Sequence, residues 1–172
     1  TAAHQLVDAT LKGMQADGLD GQGVMYIGLI FTPDGPKILE YNMRFGDPET
    51  QVLLPQITND FYQLISDLLA NRQPSLTLSD KAYACFVAVN PAYPSGALKT
   101  VPVIVPTDWP EGTWLPAGVA KSDHGWESHA GRIFSVVAGA ESLPDAVKAA
   151  KTAMEKIQGV LDYRTDIGFH TL

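Results

Sequence analysis

The segment Glu40-Tyr41-Asn42-Met43-Arg44-Phe45-Gly46-Asp47-Pro48-Glu49 gathers carboxylates, an amide and a guanidinium into a short stretch. Side chains alternate along a strand, so Glu40 and Asn42 are expected on one face, about 7 Å apart at the backbone. Their oxygens can then reach one hard divalent cation or an adjacent pair, and oxygen ligands of this kind suit magnesium. The solvated face of an edge strand explains the same pattern, and spacing alone leaves both readings open. Arg44 offers a planar fork that matches two phosphoryl or carboxylate oxygens, with a structural ion pair as the competing role. Gly46 permits a tight backbone and Pro48 can start a helix. Asp47 and Glu49 can cap its first turn or contact a ligand.

Other reactive side chains are more dispersed. His4, His124, His129 and His170 share no metal-ligand spacing and read as surface or hydrogen-bonded core residues. Cys85, the single cysteine, excludes an intrachain disulfide and a multi-thiolate zinc cage. It sits in the apolar run Ala84-Cys85-Phe86-Val87-Ala88-Val89 and reads as an inert core thiol. Arg132 and Arg164 can be held in salt bridges. Trp109, Trp114 and Trp126 read as packing, and Tyr26 and Gly28 share a strand face from which they can flank Glu40 and Asn42. Lys148, Lys151 and Lys156 lie with Asp145 and Glu155 on what reads as a solvated helix face.

These groups need elements to position them. Leu6, Val7, Leu11 and Met14 recur at helical spacing, and Gly18 stops that helix. The runs Val24–Phe31 and Lys37–Met43 flank a Pro/Asp/Gly turn and predict a hairpin. The first run is apolar on both faces, which predicts a strand covered on both sides. Short helices are expected over Pro48–Leu54 and Asn59–Asn71, the latter capped by Thr58 or Asn59. Beyond a boundary at residues 75–82, repeated prolines predict short strands over Tyr83–Val89, Val101–Val105, Gly112–Val119 and Arg132–Ala138. One further helix carries Ala146, Val147, Ala150, Met154 and Ile157, with Pro144 in its first turn and Gly159 at its end.

The reading is therefore an α+β chain in two parts, residues 1–80 and 81–172, long enough at 172 residues to bury a core. A formal charge of -7, with its acidic excess in residues 1–80, argues against a sequence-independent grip on nucleic acid. No stretch approaches the roughly 20 apolar residues of a membrane span, and no signal-peptide pattern opens the chain, so the expected location is cytoplasmic with no membrane partner. Thr1 stands already inside a helical pattern, which reads as a piece of a longer protein.

The run Ile38–Gln51 resembles the signature of the glycinamide ribonucleotide synthetase (phosphoribosylamine-glycine ligase) family of ATP-grasp enzymes. Arg44-Phe45-Gly46-Asp47-Pro48-Glu49 is the family-specific part, and Glu40-x-Asn42 is shared more widely among ATP-grasp ligases. Tyr26-Ile27-Gly28-Leu29, Tyr93-Pro94, His129–Ile133 and Tyr163–Gly168 resemble further landmarks, so the resemblance covers essentially the whole chain. The tail Phe169-His170 and the stretch Pro94–Leu98 depart from the common family pattern. The resemblance implies that residues 1–80 form the C-terminal portion of an ATP-grasp domain, an antiparallel hairpin with flanking helices. It makes residues 81–172 a small β-rich C-terminal domain with one helix, and it places the N-terminal part of the enzyme upstream.

The implied reaction joins glycine to 5-phosphoribosylamine through a glycyl phosphate in purine biosynthesis, with ATP as co-substrate and Mg²⁺ or Mn²⁺ as cofactor. On this resemblance Glu40 and Asn42 are metal ligands and Arg44 is the catalytic electrostatic stabiliser. Gly46, Asp47, Glu49, Arg132 and Arg164 bind substrates. The isolated chain is expected to be inactive. The alternatives are another ATP-grasp ligase or carboxylase acting on a different carboxylate, and a non-catalytic binding or scaffold module.

Overall fold

The computed structural model describes residues 2–106 and 113–169. Along the chain run α1 (Ala2–Ala16), β1 (Tyr26–Thr32), β2 (Gly35–Asn42), α2 (Thr50–Leu53) with a 3₁₀ turn at Leu54–Gln56, and α3 (Phe61–Leu69). They are followed by β3 (Ala82–Val89), β4 (Pro102–Ile104), β5 (Thr113–Pro116), β6 (Val119–Ser122), β7 (Gly125–Ser128), β8 (Arg132–Ala140), α4 (Leu143–Glu155) and β9 (Gln158–Gly159). Two compact units result. One comprises the chain up to Asp47 together with Asp60–Leu76, and the other comprises Pro48–Asn59 and the chain from Thr77 onward.

In the first unit, α1 ends as the sequence predicts. Gly18 takes φ +68°, which lets the Leu19 N–H reach the Met14 carbonyl at 2.9 Å and the Gly18 N–H reach Gln15 at 3.2 Å. The antiparallel pair β1–β2 follows, and a 3.0 Å bond between the Thr10 and Tyr41 hydroxyls ties α1 to β2. The expectation of a strand covered on both sides fails at the end of β1, where Ile30 and Phe31 are exposed. A two-stranded ribbon has no second layer over its tip.

The cap of α3 is Asp60, whose Oδ1 accepts the Gln63 N–H at 2.9 Å, and not Thr58 or Asn59. Asn59 is occupied elsewhere: its Oδ1 accepts the Thr77 N–H at 2.7 Å. At the other end Asn71 takes a left-handed φ of 56°, and the Arg72 N–H bonds the Asp67 carbonyl at 2.8 Å. The Arg72 side chain returns to the same residue, with Nε 2.8 Å from Asp67 Oδ1.

In the second unit β8 is the middle strand of β3-β8-β5, and a four-stranded sheet runs β6-β7-β4-β9. Alternation along β3 buries Ala84, Phe86 and Ala88, which share a core with Phe134 and Val136 of β8. Helix α4 contributes Ala146, Ala150, Ala153 and Met154, small side chains for the most part, to this cluster. Its N-terminus is capped by Ser142, whose Oγ accepts the Asp145 N–H at 3.3 Å. Trp114 on β5 and Trp126 on β7 meet edge to face at 5.3 Å, so these two tryptophans are packing residues as expected.

Two expectations need correction here. The strand expected over Gly112–Val119 is broken: β5 ends at Pro116, and a new hairpin, β6–β7, begins at Val119. Beyond Pro116 the backbone still donates to β8, Ala117 N–H to the Ile133 carbonyl at 3.0 Å and Gly118 N–H to the Arg132 carbonyl at 3.1 Å, before the chain turns into β6. Gly159 does not end α4, which stops at Glu155 with Lys156 as its C-cap. Instead Gly159 pairs with Val103 at φ +140°, where a Cβ would lie 2.6 Å from the Pro102 carbonyl oxygen. Trp109, Gly112 and His170 lie outside the described residues. No described helix is long and apolar enough to cross a membrane.

Asn90, 3% exposed, donates from Nδ2 to the Lys99 carbonyl at 2.8 Å and accepts the Ala92 N–H at 3.1 Å. Asn90→Ala removes these bonds from a buried side chain to partly buried partners and is expected to lower the unfolding free energy by about 1 kcal/mol in denaturant titrations. Hydrogen bonds from Arg72, reinforced by Gln63 and opposed by partial desolvation, hold the Asp67 carboxyl below its ordinary 3.8. That contribution is present above the ordinary value and is lost as pH falls through the lower, folded-state value. Arg72→Ala is expected to return Asp67 toward 3.8 in a carboxyl NMR titration, and an unmoved midpoint would acquit Arg72.

Candidate functional site

The hairpin register sets Tyr26 opposite Asn42 and Gly28 opposite Glu40, so these four residues share one face. Asn42 Nδ2 donates to Glu40 Oε1 at 3.0 Å. Gly28 is buried beneath the pair, and a Cβ there would lie 3.1 Å from Glu40 Cγ and 3.5 Å from Tyr26 Cε1. Glu40 is exposed and Asn42 half-buried. The two side chains therefore converge at an open surface. Glu40 Oε2 and Asn42 Oδ1 have no protein partner among the described residues.

Among the described residues no group of three or more His, Cys, Asp or Glu is placed to hold a metal. A cation at Glu40 and Asn42 would take two protein oxygens and fill its remaining positions from water or a phosphorylated ligand. Magnesium accepts that kind of partial protein shell, since it retains several waters and favours phosphate oxygens. The donor set fits a hard divalent ion and would suit zinc poorly.

Arg44 follows on the exposed chain after β2. Its Nη1 donates to the Phe45 carbonyl at 2.8 Å, and among the described residues it forms no ion pair, so the competing structural role is not realised there. Phe45 packs on Phe61 with ring centroids 6.4 Å apart, which anchors the segment to α3. Gly46 is buried and Asp47 exposed, at the end of the first of the two stretches that make up the first unit. Glu49 occupies the N-cap position of α2 without a side-chain cap bond, and its carbonyl accepts the Leu53 N–H at 3.0 Å. Its capping contribution is therefore made by the backbone.

Arg132 and Arg164 meet at a cavity of about 430 Å³ in the second unit, together with Pro48 and the β3 residues Cys85, Val87 and Val89. Cys85 is thus not a core thiol. Strand alternation turns it away from Ala84 and Phe86, and it is half-buried in the cavity wall. Arg164 is salt-bridged, with Nε 2.9 Å and Nη2 2.6 Å from the two Asp166 carboxylate oxygens. His4, His124 and His129 are exposed and separate. The β3 wall of this cavity was missed because a run apolar at every position hides its period of two.

The phosphoribosylglycinamide synthetase C-domain model matches residues 83–170, and the ATP-grasp (A) domain model of the same enzyme matches residues 1–50. This chain belongs to the phosphoribosylglycinamide synthetase family. It is 37% identical over 172 residues to a phosphoribosylamine--glycine ligase of Streptococcus pneumoniae, and 38% identical over 176 residues to one of Streptococcus pyogenes. Each alignment takes in 98% of this chain and 41% of the relative, so the chain spans about two-fifths of their length. The crystal structure of phosphoribosylamine--glycine ligase from Thermotoga maritima superposes with a TM-score of 0.82 at 28% identity, covering 96% of this chain and 42% of that one. The hairpin followed by a small β-rich part is thus a fold shared with this family.

Within that framework the small residue at Gly28 is what gives Glu40 its place beside Asn42. Gly28→Val is expected to break the Glu40–Asn42 hydrogen bond while the β1–β2 ladder persists. The Asn42 side-chain amide resonances should then move to their positions in Glu40→Ala, and resonances that stay at wild-type positions would refute the packing argument.

Proposed function

We propose that this chain is part of an ATP-dependent ligase that joins glycine to 5-phosphoribosylamine in purine biosynthesis, working in the cytoplasm. Residues 1–80 are read as the end of its ATP-grasp part and residues 81–172 as its C-terminal domain. The observation that carries the reading is the Glu40–Asn42 pair at the end of β2, with Arg44 two residues beyond, in a member of this family.

A carboxylate is a poor electrophile. Attack of a glycine carboxylate oxygen on the γ-phosphorus of ATP breaks the bond to ADP and leaves a glycyl phosphate. The sugar amine then attacks the carbonyl carbon and phosphate departs, so no nucleophile from the protein is needed. Such chemistry depends on positioning and on stabilising phosphoryl charge. Arg44, whose guanidinium has only the Phe45 carbonyl as a partner among the described residues, is assigned to the transferring phosphoryl or the glycine carboxylate. Gly46, Asp47 and Glu49 are assigned to the wall around glycine and the attacking amine, where a carboxylate can pair with an ammonium. Arg132 and Arg164 are assigned to phosphate of the nucleotide or of the sugar.

Glu40 and Asn42 would hold Mg²⁺ or Mn²⁺, which when bound neutralises nucleotide phosphate charge. In the full-length protein, Glu40→Ala is expected to cut turnover by about 100-fold or more at ordinary magnesium, measured as ADP release dependent on glycine and 5-phosphoribosylamine. Near-normal turnover would remove the metal assignment. The 172-residue chain alone is expected to release no ADP under the same conditions, and substrate-dependent release by it would overturn that expectation.

A further inference from the structure

Tyr26 is half-buried on the face that carries Glu40 and Asn42, directly opposite Asn42 in the hairpin register. Gly28, the next β1 residue on that face, stands opposite Glu40 and leaves a side-chain slot empty. We propose that Tyr26 is a positioning residue for the Glu40–Asn42 pair, its ring walling the slot above Gly28 so that the Glu40 carboxylate stays beside Asn42. The proposal deepens the ligase reading, on which it rests for a hard divalent cation as the ligand of that pair.

The ring has to lean to reach the slot. Residues two apart on a strand lie about 7 Å apart at the backbone. Even so, a Cβ on Gly28 would lie 3.5 Å from Tyr26 Cε1 and 3.7 Å from its hydroxyl oxygen. The Tyr26 side chain therefore runs along β1, from the rung of Asn42 to the rung of Glu40. Strand side chains commonly lean in this way, and an aromatic residue is long enough to serve a diagonal neighbour across the ladder. Here that neighbour is Glu40.

Glu40 enters the same slot from the other strand. Its Cγ lies 3.1 Å from the position of that Cβ, so the Glu40 stem and the edge of the Tyr26 ring face each other across the space of one side chain. The empty slot has two consequences. It admits the Glu40 stem, and by itself it also lets the stem swing toward β1 and away from Asn42. Ring atoms on the β1 side close that route. The carboxylate then keeps the place in which its Oε1 accepts a proton from Asn42 Nδ2 at 3.0 Å. A freely rotating Glu side chain loses much rotamer freedom when it binds an ion, and a stem already confined loses less.

A neutral ring suits this task. A carboxylate at position 26 would repel Glu40, and an ammonium there would compete with the cation for it. Tyr26 confines the stem and adds no charge. Groups that orient metal ligands from outside the coordination shell affect affinity through the ligands they hold.

The 172-residue chain is compared with Tyr26→Phe and Tyr26→Val, first without metal. Valine keeps strand propensity but is too short to reach the slot, and cross-strand NOEs between β1 and β2 check that the ladder persists. Three-bond couplings from Glu40 Cγ to its backbone nitrogen and carbonyl carbon report the χ1 rotamer. A single rotamer is expected in the parent chain and in Tyr26→Phe, with averaging in Tyr26→Val. Mn²⁺ is then added, and broadening of the Asn42 side-chain amide is followed against concentration. Tyr26→Val is expected to need about tenfold more Mn²⁺ for half-maximal broadening, and Tyr26→Phe to stay within about twofold of the parent.

An averaged Glu40 in the parent chain overturns the proposal, as does a single rotamer retained in Tyr26→Val. Averaging in Tyr26→Phe equal to that in Tyr26→Val overturns the assignment to the ring. Loss of the cross-strand NOEs in Tyr26→Val makes Tyr26 a folding residue and overturns it too. An unchanged Mn²⁺ response in Tyr26→Val removes the link to the cation. Absence of broadening in the parent overturns the cation as ligand of this pair, and with it the reading on which the proposal rests. Couplings that fail while broadening is intact overturn Tyr26 alone.

Discussion

A carboxylate and an amide two residues apart on β2 meet only because a strand returns its side chains to one face at every second position and because β1 offers no side chain at Gly28. Each condition is necessary. Without the alternation the two groups would point to opposite sides of the ribbon, and with any larger residue at position 28 the Glu40 stem would have to shift. The surface that results holds one internal hydrogen bond and two outward oxygens. It suits an ion that brings much of its own coordination shell.

The same period of two organises the second unit. Even-numbered residues of β3 enter the core against α4, whose alanines allow close approach, and the odd-numbered Cys85, Val87 and Val89 form a wall of the cavity. Because β8 is buried along most of its length, it fixes both neighbours in register and leaves Arg132, at its first position, beside the opening. Buried Asn90 then pins the following loop through its side-chain amide, so that Tyr93 is placed by hydrogen bonds as well as by contact.

The segment Arg44–Glu49 joins these two arrangements in sequence. Asp47 ends the first stretch of one compact unit, to which the chain returns at Asp60–Leu76, and Pro48 begins the other, where it lines the cavity. Family membership adds context to that placement: the A-domain match ends at residue 50 and the C-domain match begins at residue 83. The chain corresponds to about two-fifths of its relatives, which is why activity is assigned to the larger protein and binding chemistry to the residues described here.

Local rules made much of this legible in advance. Gly18 as a helix stop, the Pro/Asp/Gly turn of the hairpin, the stripe of α4 and the shared face of Glu40 and Asn42 depend on neighbours a few residues away, and the sequence by itself determined them. The cap at Asp60 escaped because a tertiary partner, Thr77, claims Asn59. Gly159 and Cys85 escaped for a related reason: one is required by a carbonyl from β4, and the other is sorted to a cavity by a sheet whose two faces are both largely covered. Only the tertiary structure decided that Arg132, Arg164 and Pro48 border one space, since residues so far apart in the chain meet through strand pairing and packing that no local pattern encodes.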